Sequence, residues 1–173
     1  SKNIFIPLTV GGGIRNVNDI IKVLQAGADR VSINTQAVKN PNFISEAAQK
    51  FGSSTIVISI DAIKQKDNTF LVYTDNTRNR TNLELSKWAQ EAESKGAGEL
   101  IITLVDYEGR GKGLGSDIDY LTKISKRIRI PIIINGGFGN VNHIIQCIKK
   151  TNIRSFSIAS MFHYHFIKKK KKK

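Results

Sequence analysis

Ile6-Pro7-Leu8-Thr9-Val10-Gly11-Gly12-Gly13-Ile14-Arg15-Asn16-Val17-Asn18-Asp19-Ile20-Ile21 decides the fold, because most of it returns later as Ile130-Pro131-Ile132-Ile133-Ile134-Asn135-Gly136-Gly137-Phe138-Gly139-Asn140-Val141-Asn142-His143-Ile144-Ile145. With Pro7 placed on Pro131, the glycine pair, the Asn-x-Asn element and the Ile-Ile pair fall into register without a gap, at a constant offset of 124. A short apolar run that ends in Gly-Gly and opens into an amphipathic helix lets the backbone turn tightly and approach a ligand. The free N–H groups at a helix start suit an anion, and phosphate is the natural guest. One isolated copy would better suit a strand-to-helix turn that needs small residues for packing. Two copies in register bring the anion reading level with it.

Working outward, the hydrophobic pattern alternates between strand and helix. Phe5 to Val10 reads as a strand and Val17 to Ala26 as a helix with one apolar face. Arg30 to Asn34 is a second strand, followed by a helix from about Pro41, where a first-turn proline is tolerated, to Lys50. Thr55 to Ile60 is nearly continuous in its hydrophobicity, as strands buried on both faces of a parallel sheet are, and Asp61 closes it. Thr69 to Thr74 is β-like and Asp75 to Asn82 polar, which predicts an inserted hairpin or ordered loop before a helix over Leu83 to Lys95. A fourth strand leads to Asp106 and the glycine-rich loop Gly109 to Gly115; a helix over Ile118 to Ile128, a fifth strand Pro131 to Ile134, a helix Val141 to Lys149 and a sixth strand Ser155 to Ser160 complete the series.

Strands alternating with helices at this spacing require a parallel sheet with right-handed crossovers. A doubly wound open sheet and a (β/α)8 barrel both satisfy that, and the repeat separates them. Four strand-helix units lie between Val10 and its echo, so the period is that of a half-barrel duplicated into eight units. If the second copy ends the barrel, the chain begins at the third strand, and strands three to eight are present. The expected fold class is therefore α/β, a TIM barrel with a half-barrel internal repeat lacking its first two units. Residues 1–167 would form the partial barrel and residues 168–173 a disordered lysine tail. Two unpaired sheet edges would make such a chain poorly soluble or oligomeric.

Composition narrows the function. The chain has 173 residues, 40% of them hydrophobic, enough for one substantial core. Of the formal charge of +13, Lys168 to Lys173 supply six and the body the other seven. A basic body can serve nucleic acid, an acidic membrane surface or an anionic small substrate. The cations are scattered, and no aromatic platform is interleaved with them as single-strand binders require, so nucleic acid is not expected. Cys147 is the only cysteine, which leaves no disulfide framework and no paired-cysteine metal motif; a reducing, cytoplasmic compartment is the simplest setting. No run reaches membrane-spanning length and no signal-peptide pattern is present. Ser1-Lys2-Asn3 runs almost directly into a strand without an initiator Met. The lysine run reads as a solvated tail, a membrane-surface anchor, or the translated end of an incomplete coding sequence.

In barrels of this kind the working groups sit at the C-terminal ends of strands. Those positions carry Gly11 to Gly13, Asn34 and Thr35, Asp61, Thr103 with Asp106, Asn135 to Gly137, and Ser160. Asp61 is the best candidate for a general acid or base, since burial and neighbours move the pKa of a carboxylate at a strand mouth; capping of the following turn is the competing role. His163, between Phe162 and Tyr164, reads as a packed, hydrogen-bonded histidine rather than a catalytic one. Arg30 and Glu99 open strands and so point to the opposite rim, where an ion pair would close the barrel floor. No metal-ligand cluster and no Ser-His-Asp order is present.

Thr9-Val10-Gly11-Gly12-Gly13-Ile14-Arg15, Gly27 to Thr35, Lys39-Asn40-Pro41, Phe51-Gly52-Ser53, Ile60-Asp61-Ala62, Gly96-Ala97-Gly98-Glu99 and Ser160-Met161-Phe162-His163 together resemble the cyclase subunit of imidazole glycerol phosphate synthase. The resemblance spans nearly all of Ile6 to Tyr164. It implies a lyase of histidine biosynthesis on a half-barrel-duplicated (β/α)8 fold, cytoplasmic and without cofactor. Such an enzyme joins ammonia, delivered by a glutaminase partner in a heterodimer, to a linear ribulosyl-aminoimidazole precursor with a phosphate at each end, giving imidazole glycerol phosphate and an aminoimidazole carboxamide ribotide. By position, Gly13, Asn34 and Thr35 would hold one phosphate and Gly109, Gly137 and Ser160 the other. Asp61 matches one of two catalytic aspartates, and the other lies on the first strand, so this chain alone is expected to be inactive. Glu108 and Thr103 are further catalytic candidates, and Arg30 and Glu99 match charged positions at the ammonia gate.

Three departures from the family pattern stand out. The usual Asp-x-Asp-Gly-Thr is replaced by Asp106-Tyr107-Glu108-Gly109-Arg110, the loop through Gly115-Ser116-Asp117 is longer, and Asn135 stands where serine is common. They point toward sibling barrels that amidate surface-polysaccharide sugars with a glutaminase, the alternative reading. A non-catalytic anion-binding scaffold is the alternative from another class.

Overall fold

The computed structural model describes residues 5–170, with side chains to residue 167. Six parallel strands form the sheet in sequence order: β1 (Thr9–Gly11), β2 (Arg30–Ile33), β3 (Ile56–Lys64), β6 (Glu99–Leu104), β7 (Ile132–Asn135) and β8 (Ser155–Ser157). An antiparallel hairpin, β4 (Phe70–Thr74) and β5 (Asn79–Glu84), extends from β3. The helices are α1 (Val17–Gln25), α2 (Thr35–Lys39), α3 (Asn42–Phe51), α4 (Leu85–Ser94), α5 (Ile118–Arg127), α6 (Val141–Lys150) and α7 (Ser160–Lys170). Sequential strand order with helical crossovers is the succession of a (β/α)8 barrel, here six strands of it. Among the described residues no pairing joins β1 to β8.

Alternation along each strand sorts the two faces. Ile56, Ile58, Ile60 and Ala62 of β3 and Leu100, Ile102 and Leu104 of β6 are fully buried in one core with Phe43, Ile44, Leu85, Trp88 and Leu121 from the helices. Each such Ile, Leu or Phe side chain contributes about 1.5–3 kcal/mol on burial. The intervening positions, Ser32, Ser59, Asp61, Thr103 and Asn135, carry polar groups to the other face. Packing is thereby assigned to one face and chemistry to the other.

The repeat is structural as well as sequential. Gly12 and Gly136 have φ of 101° and 97°, and Gly13 and Gly137 have 71° and 87°, values open to glycine at little cost. Asn16 and Asn140 cap α1 and α6 from nearly identical extended backbones, each accepting a hydrogen bond from the N–H three residues on. Asp19 completes a capping box by accepting from the N–H groups of Arg15 and Asn16. In the second copy His143 takes that place, its Nδ1 accepting from Gly139 N–H at 3.2 Å.

Several boundaries differ from the expectation. Phe5 and Ile6 do not join β1, because a strand at the edge of the sheet is only as long as its one partner: Thr9 to Gly11 pairs with Arg30 to Ser32. Asp61 does not close β3, which runs on to Lys64 because β4 offers it a second ladder. Thr35 to Lys39 form a short helix, α2, that an apolar-periodicity reading passes over. Leu83 and Glu84 belong to β5, and Glu84 caps α4 by accepting from Lys87 N–H. β8 ends at Ser157, so Ser160 is not in a strand but opens α7. His163 on that helix is exposed, not packed, and its ring contact is with Tyr164. The backbone of α7 takes in Lys168 to Lys170, and Lys171 to Lys173 lie outside the described residues.

Candidate active site

Register places the polar groups of neighbouring strands side by side. Asp61 of β3 pairs in register with Thr103 of β6, Thr103 with Asn135 of β7, and Asn135 with Ser157 of β8. Asn34, just past β2, donates from Nδ2 to Asp61 Oδ2 at 2.9 Å, and Asn135 Nδ2 donates to Thr103 Oγ1 at 3.3 Å. A row of polar side chains thus crosses the sheet, hydrogen-bonded between Asn34 and Asp61 and between Asn135 and Thr103.

Asp61 is held above the usual carboxylate range. Burial is the main cause, opposed by the Asn34 amide, reinforced by the nearby Glu108 carboxylate and opposed again by the Thr103 hydroxyl. A half-buried carboxyl that holds its proton more readily than usual, beside a second carboxylate, is equipped to exchange protons with a bound substrate. Asn34 Oδ1 is buried and has no hydrogen-bond partner among the described residues.

Two recesses flank this row. The first, of about 650 Å³, is lined by Gly11 to Gly13, Arg15, Asn34, Thr35, Lys39 and Asp61. The second, of about 200 Å³, is lined by Glu108, Gly109, Asn135, Gly137 and Ser160, among others. A third hollow of about 580 Å³ adjoins it through Gly109 and Ser160. The structure therefore brings Gly13, Asn34 and Thr35 together, and separately Gly109, Gly137 and Ser160, as the two sets expected from the sequence.

Glycine is needed in these recesses for two different reasons. At Gly12 and Gly13 a Cβ would meet nothing within 4 Å, so the requirement is the positive φ and the backbone surface left open to the cavity. At Gly137 a Cβ would stand 2.8 Å from Leu114 Cδ2, and at Gly139 it would stand 1.9 Å from the carbonyl oxygen of Gly111. Gly113 N–H donates to Gly137 O at 2.8 Å, and the base of the long loop is braced by Asp117, which pairs with Lys64 at 2.7 Å and accepts from Tyr107. Burial, and then that brace, push the Tyr107 hydroxyl up to about 12. The glycine-rich loop and the turn after β7 are thus packed backbone to backbone at the second recess.

The starts of α1 and α6 are partly capped from within, whereas Thr35 and Ser160, which open α2 and α7, line the two recesses. The N–H groups of Arg15, Asn16 and Asp19 are taken by the α1 capping box, and those of Gly139 and His143 by the cap of α6. Asp106 is not in the row: its Oδ2 accepts from Lys64 N–H at 2.7 Å, fastening the end of β3 to β6.

At the other end of the strands Arg30 Nη1 meets Glu99 Oε2 at 2.9 Å. Glu99 pairs in register with Val57, four residues before Asp61, which puts the ion pair about 13 Å along the sheet from the carboxyl. Arg15, Lys39 and the hairpin tip at Asp75 and Asn76 also line the first recess, Arg15 and Lys39 from motifs quoted above without a site role. For Lys39 the signal was available, since it lies four residues after Thr35 and so on one face of α2.

A family model described as "Histidine biosynthesis protein" matches residues 1–168. The chain belongs to the histidine biosynthesis protein family. Three relatives in that family carry the name imidazole glycerol phosphate synthase subunit HisF. The one from Hydrogenobaculum sp. (strain Y04AAS1) is 47% identical over 164 residues, 95% of this chain and 64% of the relative. Those from Streptococcus mutans serotype c (strain ATCC 700610 / UA159) and Bacillus cereus (strain ATCC 10987 / NRS 248) are 44% and 43% identical, over 93% and 95% of this chain and 63% and 64% of the relatives. The chain thus spans somewhat under two thirds of the length of the curated relatives it matches. Neither alternative reading, sugar amidation or passive scaffold, finds support among these histidine-biosynthesis relatives. Among the described residues no helix is long and apolar enough to cross a membrane.

Proposed function

We propose that the chain supplies strands three to eight of the cyclase barrel of imidazole glycerol phosphate synthase, with residues 1–167 as its share of the barrel. The observation that carries this reading is the pair of glycine-lined recesses on either side of Asp61, related by the internal repeat. One substrate with a phosphate at each end, the linear ribulosyl-aminoimidazole precursor, fits two such recesses joined by a polar row. The first phosphate lies against Gly13, Asn34 and Thr35, and the second against Gly109, Gly137 and Ser160.

Between the phosphates the reacting part of the substrate lies along the strand ends. Asp61 gives and takes the protons of ring closure and cleavage, held in place by Asn34 and Thr103. Glu108 stands at the second recess as the neighbouring carboxylate. Ammonia enters from the opposite rim past the Arg30–Glu99 ion pair, delivered by a glutaminase subunit docked there. The products are imidazole glycerol phosphate and the aminoimidazole carboxamide ribotide. No cofactor, metal, nucleic acid or membrane takes part, and the cytoplasm is the setting.

Complementation tests the assignment. The full-length gene is expected to restore growth of a histidine auxotroph lacking the cyclase, without added histidine. A protein that is expressed and folded yet fails to restore growth overturns it, and restored sugar amidation in its place would reinstate the alternative.

A further inference from the structure

The first recess contains a charged pair that the cyclase reading does not use. The tip of the β4–β5 hairpin leans over α2: Asp75 N–H donates to Thr35 Oγ1 at 3.0 Å, and Asp75 Oδ2 lies 3.7 Å from Lys39 Nζ. Asn79 Nδ2 also donates to that carboxylate, at 2.6 Å. Asp75, Asn76 and Thr77 have φ of 53°, 56° and 64°, a left-handed run that turns the tip sharply and brings Asp75 and Asn76 to the wall of the recess. A carboxylate at the wall of a recess suited to an anion, paired with a lysine on the same wall, occupies the role the anion would take.

We propose that Lys39 is a further anion ligand of the Gly11–Gly13 recess and that Asp75 holds it in reserve, standing in for the anion until one arrives. This rests on the reading that the recess takes a phosphate. The exchange is easy because the pair is loose: at 3.7 Å, with side chains 62% and 37% exposed, it is worth a factor of only about one and a half to five in an equilibrium. A phosphate carries up to two charges against one, so it displaces the carboxylate and draws Lys39 inward. Thr35 keeps its own hydroxyl proton for the phosphate throughout, since its Oγ1 only accepts from Asp75 N–H. Anion affinity at this end is set below its intrinsic value by a chain segment of the protein itself.

Inorganic phosphate titrated into the full chain, followed by the amide shifts of Gly13 and Thr35, tests this, with Gly137 and Ser160 as a reference at the other recess. Lys39→Gln is expected to weaken phosphate binding at Gly13 and Thr35 about fivefold, and Asp75→Asn to strengthen it about threefold. In the Lys39→Gln background the gain from Asp75→Asn should shrink, and neither variant should move the midpoint at Gly137 and Ser160. Asparagine tolerates the left-handed backbone at position 75, and Asp75→Gly serves as a second variant for the same comparison. Equal midpoints in wild type and both position-75 variants, or the same change at both recesses, overturn the latch alone. Gly13 and Thr35 amides that ignore phosphate in the wild type overturn the phosphate reading and the latch with it.

Discussion

Asp61→Asn in the full-length protein is expected to lower kcat by about 10²–10⁴-fold, the range that one positioned general acid or base contributes, with KM changed little. The separation of the two constants follows from the geometry. The substituted amide would keep the volume of the side chain and could still accept from Asn34 through its carbonyl oxygen, so the recess walls stay in place while the exchangeable proton is lost. In the wild type the acid limb of kcat/KM should lie above that of an ordinary aspartate, because burial, the first cause of the shift, holds the carboxyl above its usual range. Steady-state kinetics across pH measure both effects.

The same shift has a consequence for stability, with a definite sign. A carboxyl whose pKa is raised on folding binds its proton more tightly in the native state. The contribution of Asp61 to stability therefore falls as pH rises from about 3.9, the unfolded aspartate value, through the higher folded value, and is flat beyond it. Asp61→Asn removes that slope. The variant should match the wild type most closely at low pH and exceed it at neutral pH, as thermal unfolding at the two ends of the range would record.

Gly139→Ala is the second large effect expected. The added methyl carbon would lie 1.9 Å from the Gly111 carbonyl oxygen, and both partners are backbone, so no side chain can swing away. The glycine-rich loop and the turn after β7 must separate. Overpacking of this kind costs about 1–3 kcal/mol in stability. The functional cost falls on the second recess, whose Gly109 and Gly137 sit on the two segments forced apart. A rise in KM of about tenfold or more with a smaller fall in kcat is expected, whereas a lesion in the proton-transfer row would lower kcat instead. The remaining capping atoms of Asn140 and His143 lie on α6 and do not relieve the clash.

The architecture was legible because its strongest signal is a copy. Two glycine pairs with matching positive φ and two asparagine caps hold the same places in two units of the barrel, so the offset alone counted the strands between them. Gly13, Asn34, Thr35, Gly109, Gly137 and Ser160 fell into two recesses because strand ends and the loops after them converge in any such barrel. What stayed hidden depends on contacts distant in sequence. Lys39 turns toward the first recess only because Thr35 to Lys39 wind into a helix too short for hydrophobic periodicity to register. Asp75 arrives there because β3 continues past Asp61 to pair with β4, which an aspartate at the end of an apolar run disguises. The fate of the helix-start N–H groups was equally invisible, since Asp19 and His143 fill the same capping position with different chemistry.

The two recesses are proposed to clamp the two ends of one molecule across Asp61. Titration of the full-length protein with an unreactive bis-phosphorylated analogue of the linear precursor, read at the amides of Gly13 and Thr35 and at those of Gly137 and Ser160, tests it most directly. Both sets are expected to shift with a single shared midpoint at one ligand per chain. Two independent midpoints, or shifts confined to one recess, would contradict it.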